Sequence, residues 1–388
     1  MLLLNPAFLY AATWSFVTLL YAAHLSDMLE PLQGATIVLI VGSSLSFILG
    51  WVAESISRGG RLASTRRDFS RIIPRIHGRP VGRRLRWLAI AFVAGLSLEI
   101  AVSGGAPLLG LLGIGADILY TEFGIPGFHG LMNAFFYSFC AMTFARNITG
   151  PTSTKHKILL GLVSVAYPAL GMSRQVLISL MLQYLIIYVS FRRLSPSTTL
   201  RVVVGFVAAF LIFGYLGDLR SGRDSIIALA QPTFDYPEWL PSAFIWFYIY
   251  VCTPLNNVNF NIGIAPHYFP FETIGTLIPS FARDSFLGVL DGRQDWELVS
   301  ESFNVSSLLQ SLVTDFGVVG TIFFTFVAGI AFSRLLRRSA TRPGSFFATV
   351  VFLHGIALSF FANLLFHLVF LFQIATMAWL VRSRRVRR

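Results

Sequence analysis

The chain has 388 residues, of which 55% are apolar, 14% aromatic and 12% charged, with a formal net charge of +12. A soluble domain carries about 25% charged residues, so this composition excludes an ordinary water-soluble globule. The basic residues flank apolar runs, where they set topology and touch anionic headgroups; the positive charge is therefore not read as a nucleic-acid footprint.

A membrane span needs about 20 apolar residues. The first candidate runs from about Pro6 to Ala23, lacks a basic leader and a small-residue cleavage site, and reads as a retained span. A short loop with His24, Asp27 and Glu30 leads to the second span, about Leu32 to Ala53. Ser57 to Arg86 then carries ten arginines with Pro74 and Pro80, which places this loop in the cytoplasm. The third span, about Trp87 to Val102, is followed by a Gly/Pro-rich stretch, Ser103 to Gly127, expected to be a re-entrant or surface loop. The fourth span is about Phe128 to Ala145. The fifth and sixth, Ile158 to Leu170 and Val176 to Phe191, form a tight pair closed by Gly171-Met172-Ser173-Arg174. The seventh, about Val202 to Leu216, ends at Asp218.

Residues 218–307 form the largest stretch without a span, with seven prolines and an apolar piece, Ser242 to Thr253, that is too short to cross and fits an interfacial or buried helix. The last three spans are about Leu308 to Phe332, Phe346 to Phe361 and Leu364 to Leu380. The expected fold is thus an all-α polytopic membrane protein of about ten transmembrane helices, with both termini in the cytoplasm. It divides into a seven-span bundle (1–217) with a basic loop (54–86), a large helical periplasmic loop (218–307) and a three-span bundle (308–388). Cys140 lies in a span and Cys252 is its lone companion, so neither a disulfide framework nor a metal-ligand cluster is expected.

With these spans, the cytoplasmic side holds 23 arginines, both lysines and only Glu54 and Asp68 as acids. The remaining 16 acids accompany five basic residues, Arg174, Arg220, Arg223, Arg283 and Arg293, which stand against the positive-inside rule. Arg174 follows Ser173, a good N-cap for the sixth span; a cation in a first turn opposes the helix dipole unless a bound phosphate reverses the sign. The alternative is snorkelling to headgroups. In Asp218-Leu-Arg220-Ser-Gly-Arg223-Asp224, two guanidiniums can converge on one polyanion, or pair with Asp224 and Asp218 as a local ion cluster. Arg283-Asp284 and Asp291-Gly-Arg293 repeat the pattern, and Glu301 and Asn304 precede the eighth span. Asp315 inside that span is expected to face a cavity or partner, or to pair with an arginine. His354 and His367 are expected to hydrogen-bond between helices. Phe234, Tyr236, Trp239, Trp246, Tyr248, Tyr250 and Tyr268 read as an interfacial aromatic belt, with sugar stacking as the alternative.

This layout resembles the bacterial O-antigen and capsule polymerases, the Wzy-type oligosaccharide repeat-unit polymerases. The resemblance rests on the many spans, the basic cytoplasmic face and the large late outer loop. Locally it rests on Ser173-Arg174, on Arg220 with Arg223, and on the run Ser306 to Gly320 around Asp315. It implies a GT-C-like glycosyltransferase of the inner membrane whose donor is a glycan on undecaprenyl pyrophosphate, with no cofactor and no metal. Arg174, Arg220, Arg223, Arg283, Arg293 and Asn304 would bind substrate, and one of Asp218, Asp224, Asp284 and Glu301 would be the base. Besides the lipid-linked glycan and membrane lipid, a chain-length regulator protein is a candidate partner. An O-antigen ligase with the same donor, a lipid-glycan flippase or transporter, and an assembly scaffold are the rival readings.

Overall fold

The computed structural model describes residues 2–57, 69–114, 118–119, 122–279, 296–300, 303 and 305–382. Among them are fifteen α-helices and no sheet strand; an isolated bridge joins Ser26 and Pro232. The helices are α1 (Pro6–Ala22), α2 (Gly34–Ile56), α3 (Ile73–Ile76), α4 (Arg79–Ser103), α5 (Pro107–Leu111), α6 (Phe128–Thr149), α7 (Thr154–Leu170) and α8 (Arg174–Phe191). They continue with α9 (Pro196–Ser221), α10 (Arg223–Ala230), α11 (Ala243–Asn261), α12 (Phe271–Gly275), α13 (Leu308–Ser339), α14 (Pro343–Ala357) and α15 (Leu368–Val381). Four of them, α2, α4, α8 and α13, are long and apolar enough to cross a membrane, and α1, the first part of α9, α14 and α15 are shorter apolar helices. The chain is thus a candidate multi-pass membrane protein.

The helices start where local chemistry dictates. Asn5 accepts the amide protons of Ala7 and Phe8 at 3.0 and 3.3 Å ahead of Pro6, and Ser195 accepts that of Thr198 ahead of Pro196.

The tightest packing joins α2 to α13. Gly42, Ser46 and Gly50 recur at four-residue spacing on α2 and face α13 at Ile322 and Phe326, while Thr321, Thr325, Gly329 and Ser333, at the same spacing on α13, are buried. A Cβ on Gly50 would collide with the Phe326 carbonyl, and one on Gly329 with the Phe47 carbonyl. Small residues thus let the two backbones touch, and the Ser46 hydroxyl donates to the Ile322 carbonyl across the seam at 2.7 Å. At the end of this seam the buried Glu54 carboxylate accepts from Arg334 at 3.0 Å and from Arg337. Elsewhere Gln183 of α8 and Gln373 of α15, both fully buried, exchange amide hydrogen bonds at 3.1 and 2.7 Å.

One end of the bundle gathers the basic residues. Arg84 donates to the Trp379 and Leu380 carbonyls at 3.0 Å, Arg192 to that of Ile148 and Arg75 to that of Thr341. His77 meets Thr149 at 2.9 Å.

The opposite end is organised by α11. The apolar piece does not stop at Thr253: the helix continues through Pro254 to Asn261, and its second half is largely buried and rich in asparagine. Asn256 and Asn259 accept the amide protons of Glu30 and Gln33 at 3.0 and 2.8 Å, while Asn257 and Asn261 hold the backbone of Phe303 and Glu297. These amides satisfy backbone groups of two irregular segments.

The polar groups expected within spans take backbone partners. Asp315 is fully buried. Its carboxylate accepts the Glu272 and Thr273 amide protons at 2.9 and 2.6 Å, capping α12 where α13 kinks at Gly317 (φ 67°). His354 bonds the Val351 carbonyl of its own helix at 2.5 Å, and His367 caps α15 by accepting from Val369 at 3.4 Å; neither of these bonds joins two helices.

Candidate functional site

At the end opposite the arginine-rich loops, four helix termini meet: the starts of α8, α10 and α11 and the last turn of α9. The α7–α8 turn is tight, with Met172 in the left-handed region (φ 49°), so that Arg174 becomes the first residue of α8. Ser173 occupies the N-cap position but, against expectation, its side chain makes no capping hydrogen bond.

Arg174 lies over Trp246 of α11, its guanidinium carbon 5.1 Å from the ring centroid. Gly217 of α9 makes room for both: a Cβ there would stand 2.8 Å from Arg174 Nη2 and 3.2 Å from Trp246 Nε1. The indole N–H of Trp246 is buried and has no hydrogen-bond partner among the described residues. A buried donor left unpaired is costly.

One residue on, Asp218 accepts the Ser242 hydroxyl at 2.5 and 2.6 Å. Gly222 (φ 76°) then breaks the chain direction, and α10 starts at Arg223. Arg223 does not pair with Asp218. It donates to the Pro237 carbonyl at 2.8 Å and lies 5.8 Å over the Tyr236 ring, whose hydroxyl donates to the Pro241 carbonyl at 2.7 Å. Partial burial holds that hydroxyl above the usual phenol range. At Arg223 the expected pair with Asp218 gives way to arginine–aromatic stacking, which keeps the guanidinium plane fixed at low entropic cost.

Arg174 also lines a groove of about 830 Å³ between α7, α8 and α9. Its walls follow single helix faces: Leu160, Ser164 and Pro168 on α7, Leu177, Met181 and Tyr184 on α8. The groove runs from Arg174 to Arg192, eighteen residues apart, or about 27 Å along a helix, close to the thickness of a bilayer's hydrocarbon core.

The expected site residues divide as follows. Arg174, Asp218 and Arg223 are brought to one end around Trp246, Ser242 and Tyr236. Asp224 is exposed in the first turn of α10, where it complements the helix dipole instead of joining them. Arg220 falls on the last turn of α9, and its side chain lies outside the description. Arg283, Asp284, Arg293, Glu301 and Asn304 lie outside the described residues. The aromatic set splits: Trp239 and Tyr268 are 81% and 80% exposed, as a belt would be, whereas Tyr248 is buried and accepts the Leu25 amide proton at 2.8 Å. The sequence reading missed Ser242 and Gly217. It also missed the fully buried Glu99 of α4, which meets His129 of α6 at 3.2 Å. An acid three residues from the end of an apolar run was the available signal.

No family model, no curated protein and no solved structure matches the chain.

Proposed function

We propose that this protein joins oligosaccharide repeat units carried on undecaprenyl pyrophosphate at the outer face of a bacterial inner membrane. The ten-span topology with cytoplasmic termini is part of that reading. The observation that carries it is the position of Arg174: a guanidinium held between Trp246 and Gly217 at the mouth of an apolar groove, with Asp218 and Arg223 on the adjoining turns. A diphosphate with a long hydrocarbon tail matches that combination, the head at the cations and the chain in the groove.

In the reaction, an acceptor sugar hydroxyl attacks the donor's anomeric carbon. A new C–O bond forms, the bond to the diphosphate oxygen breaks, and its electron pair leaves with the diphosphate. Arg174 and Arg223 would stabilise the charge that grows there. Asp218, oriented by Ser242, would take the hydroxyl proton. Exposed Trp239 and the fixed Tyr236 offer apolar faces to sugars.

Purified protein incubated with a lipid-pyrophosphate-linked repeat unit tests this. A ladder of longer lipid-linked glycans supports the proposal; unchanged substrate with functional protein refutes it. Transfer of one glycan only to a lipid A-core acceptor would replace polymerase by ligase.

A further inference from the structure

The same groove has a second mouth, at the arginine-rich end, and nothing in the proposed reaction uses it. Lys157 at the start of α7, Asn147 near the end of α6 and Arg192 after α8 line it. No acid lines any part of the groove among the described residues. The Asn147 amide nitrogen is buried there with no hydrogen-bond partner among them. Arg192 gives Nε and one Nη2 proton to the Ile148 carbonyl, at 3.1 and 2.8 Å, so its plane is fixed while its remaining N–H groups stay available. The first turn of α7 carries Lys155 and no acid, and Lys157 follows directly, an arrangement that the helix dipole disfavours unless an anion sits nearby.

Among the described residues, little protein fills the interior of the groove. Gly161 of α7 and Gly205 of α9 both line it, and a Cβ on either would meet no atom within 4 Å. A helix surface left without contacts inside a bilayer forfeits dispersion attraction that a hydrocarbon chain restores. The positive-inside rule places this mouth in the cytoplasmic leaflet, the one that presents anionic headgroups.

We propose that the groove holds, through this mouth, an anionic phospholipid: its phosphate between Lys157, Arg192 and the Asn147 amide, and one acyl chain against Leu160, Gly161, Tyr184 and Gly205. This does not rest on the reading of the Arg174 end, which would draw its ligand from the other leaflet.

The full chain, purified in a neutral detergent, is titrated with phosphatidylglycerol or with phosphatidylcholine of the same acyl chains. Bound lipid is counted by native mass spectrometry and thermal unfolding is followed in parallel. Phosphatidylglycerol is expected to bind and raise the unfolding temperature, and phosphatidylcholine to do neither. The double variant Lys157→Gln/Arg192→Gln should weaken binding by on the order of tenfold or more, the effect of two interfacial cations. Gly161→Phe should fill the groove and abolish binding while unfolding at the same or a higher temperature without lipid, because the site is open and glycine disfavours helix. Arg174→Gln should leave binding unchanged. Equal binding of phosphatidylcholine, an equal shift with inorganic phosphate alone, unaltered binding by the double variant, or loss of binding in Arg174→Gln would each overturn the assignment. The last would mean that the groove loads only from the opposite face.

Discussion

The guanidinium of Arg174 sits 5.1 Å from the centroid of Trp246, and both rest against the bare backbone of Gly217. Three helices, α8, α11 and α9, supply these three residues. The stacking fixes the plane of a cation that a lone surface arginine would leave to wander, which is what charge stabilisation in a reaction requires.

Arg174→Ala should lower the rate of glycan elongation by on the order of 10²-fold or more, the range seen when one charge-stabilising donor is removed. Arg174→Lys should recover only part of it, because the ammonium lacks the planar fork. Trp246→Leu should give a smaller loss, since cation–π contact is worth roughly 0.5–2 kcal/mol. Elongation assays at matched protein level in membranes check the order of the three.

Asp218→Asn should reduce elongation by about 10²–10⁴-fold, the range for a general base. Ser242→Ala leaves the carboxylate in place but removes its orienting hydroxyl, so a loss of about tenfold is expected, in line with a hydrogen bond to a charged group. A Ser242→Ala variant more impaired than Asp218→Asn would argue that Asp218 serves structure alone.

The α2–α13 seam predicts stability. Gly50→Val and Gly329→Val each place a side chain where a backbone carbonyl already stands, and each should destabilise by about 1–3 kcal/mol or more. Gly161→Ala, in open space, should be neutral or stabilising by up to about 1 kcal/mol. Thermal unfolding in one detergent compares the three directly.

Asp315→Leu strips the start of α12 of its acceptor and leaves two buried amide protons unpaired, at about 1–3 kcal/mol each. Asp315→Asn retains one acceptor oxygen and should lie between that variant and the natural chain. Limited proteolysis around residues 264–279 and the unfolding temperature report on it.

His77 provides a pH signature. Burial, with the nearby Arg146, lowers its pKa in the folded chain, whereas the unfolded chain takes up the proton near about pH 6.5. Below that pH the unfolded state binds more protons, so stability should fall as the medium is acidified from about pH 7 through 6.5 toward the folded value, and level off beneath it. His77→Gln, measured beside the natural chain from pH 7.5 to 5, should flatten that part of the profile.

Composition and the placement of arginine determined much by themselves. The apolar runs that form the candidate spans follow from residue type alone, because transfer free energies act residue by residue. The small-residue spacing of Gly42, Ser46 and Gly50 was equally written in the chain. Tertiary structure decided who meets whom. It gave Asp315 the start of α12 to cap, and Arg223 a carbonyl and a ring in place of Asp218. It extended α11 through Pro254 because four asparagines found backbone partners more than thirty residues away. It set Trp246 on Arg174, and it left between α7 and α9 a gap that no side chain of the described residues fills. A polar group in an apolar surrounding takes whichever partner the packing brings within about 3 Å, and a linear pattern does not encode that distance.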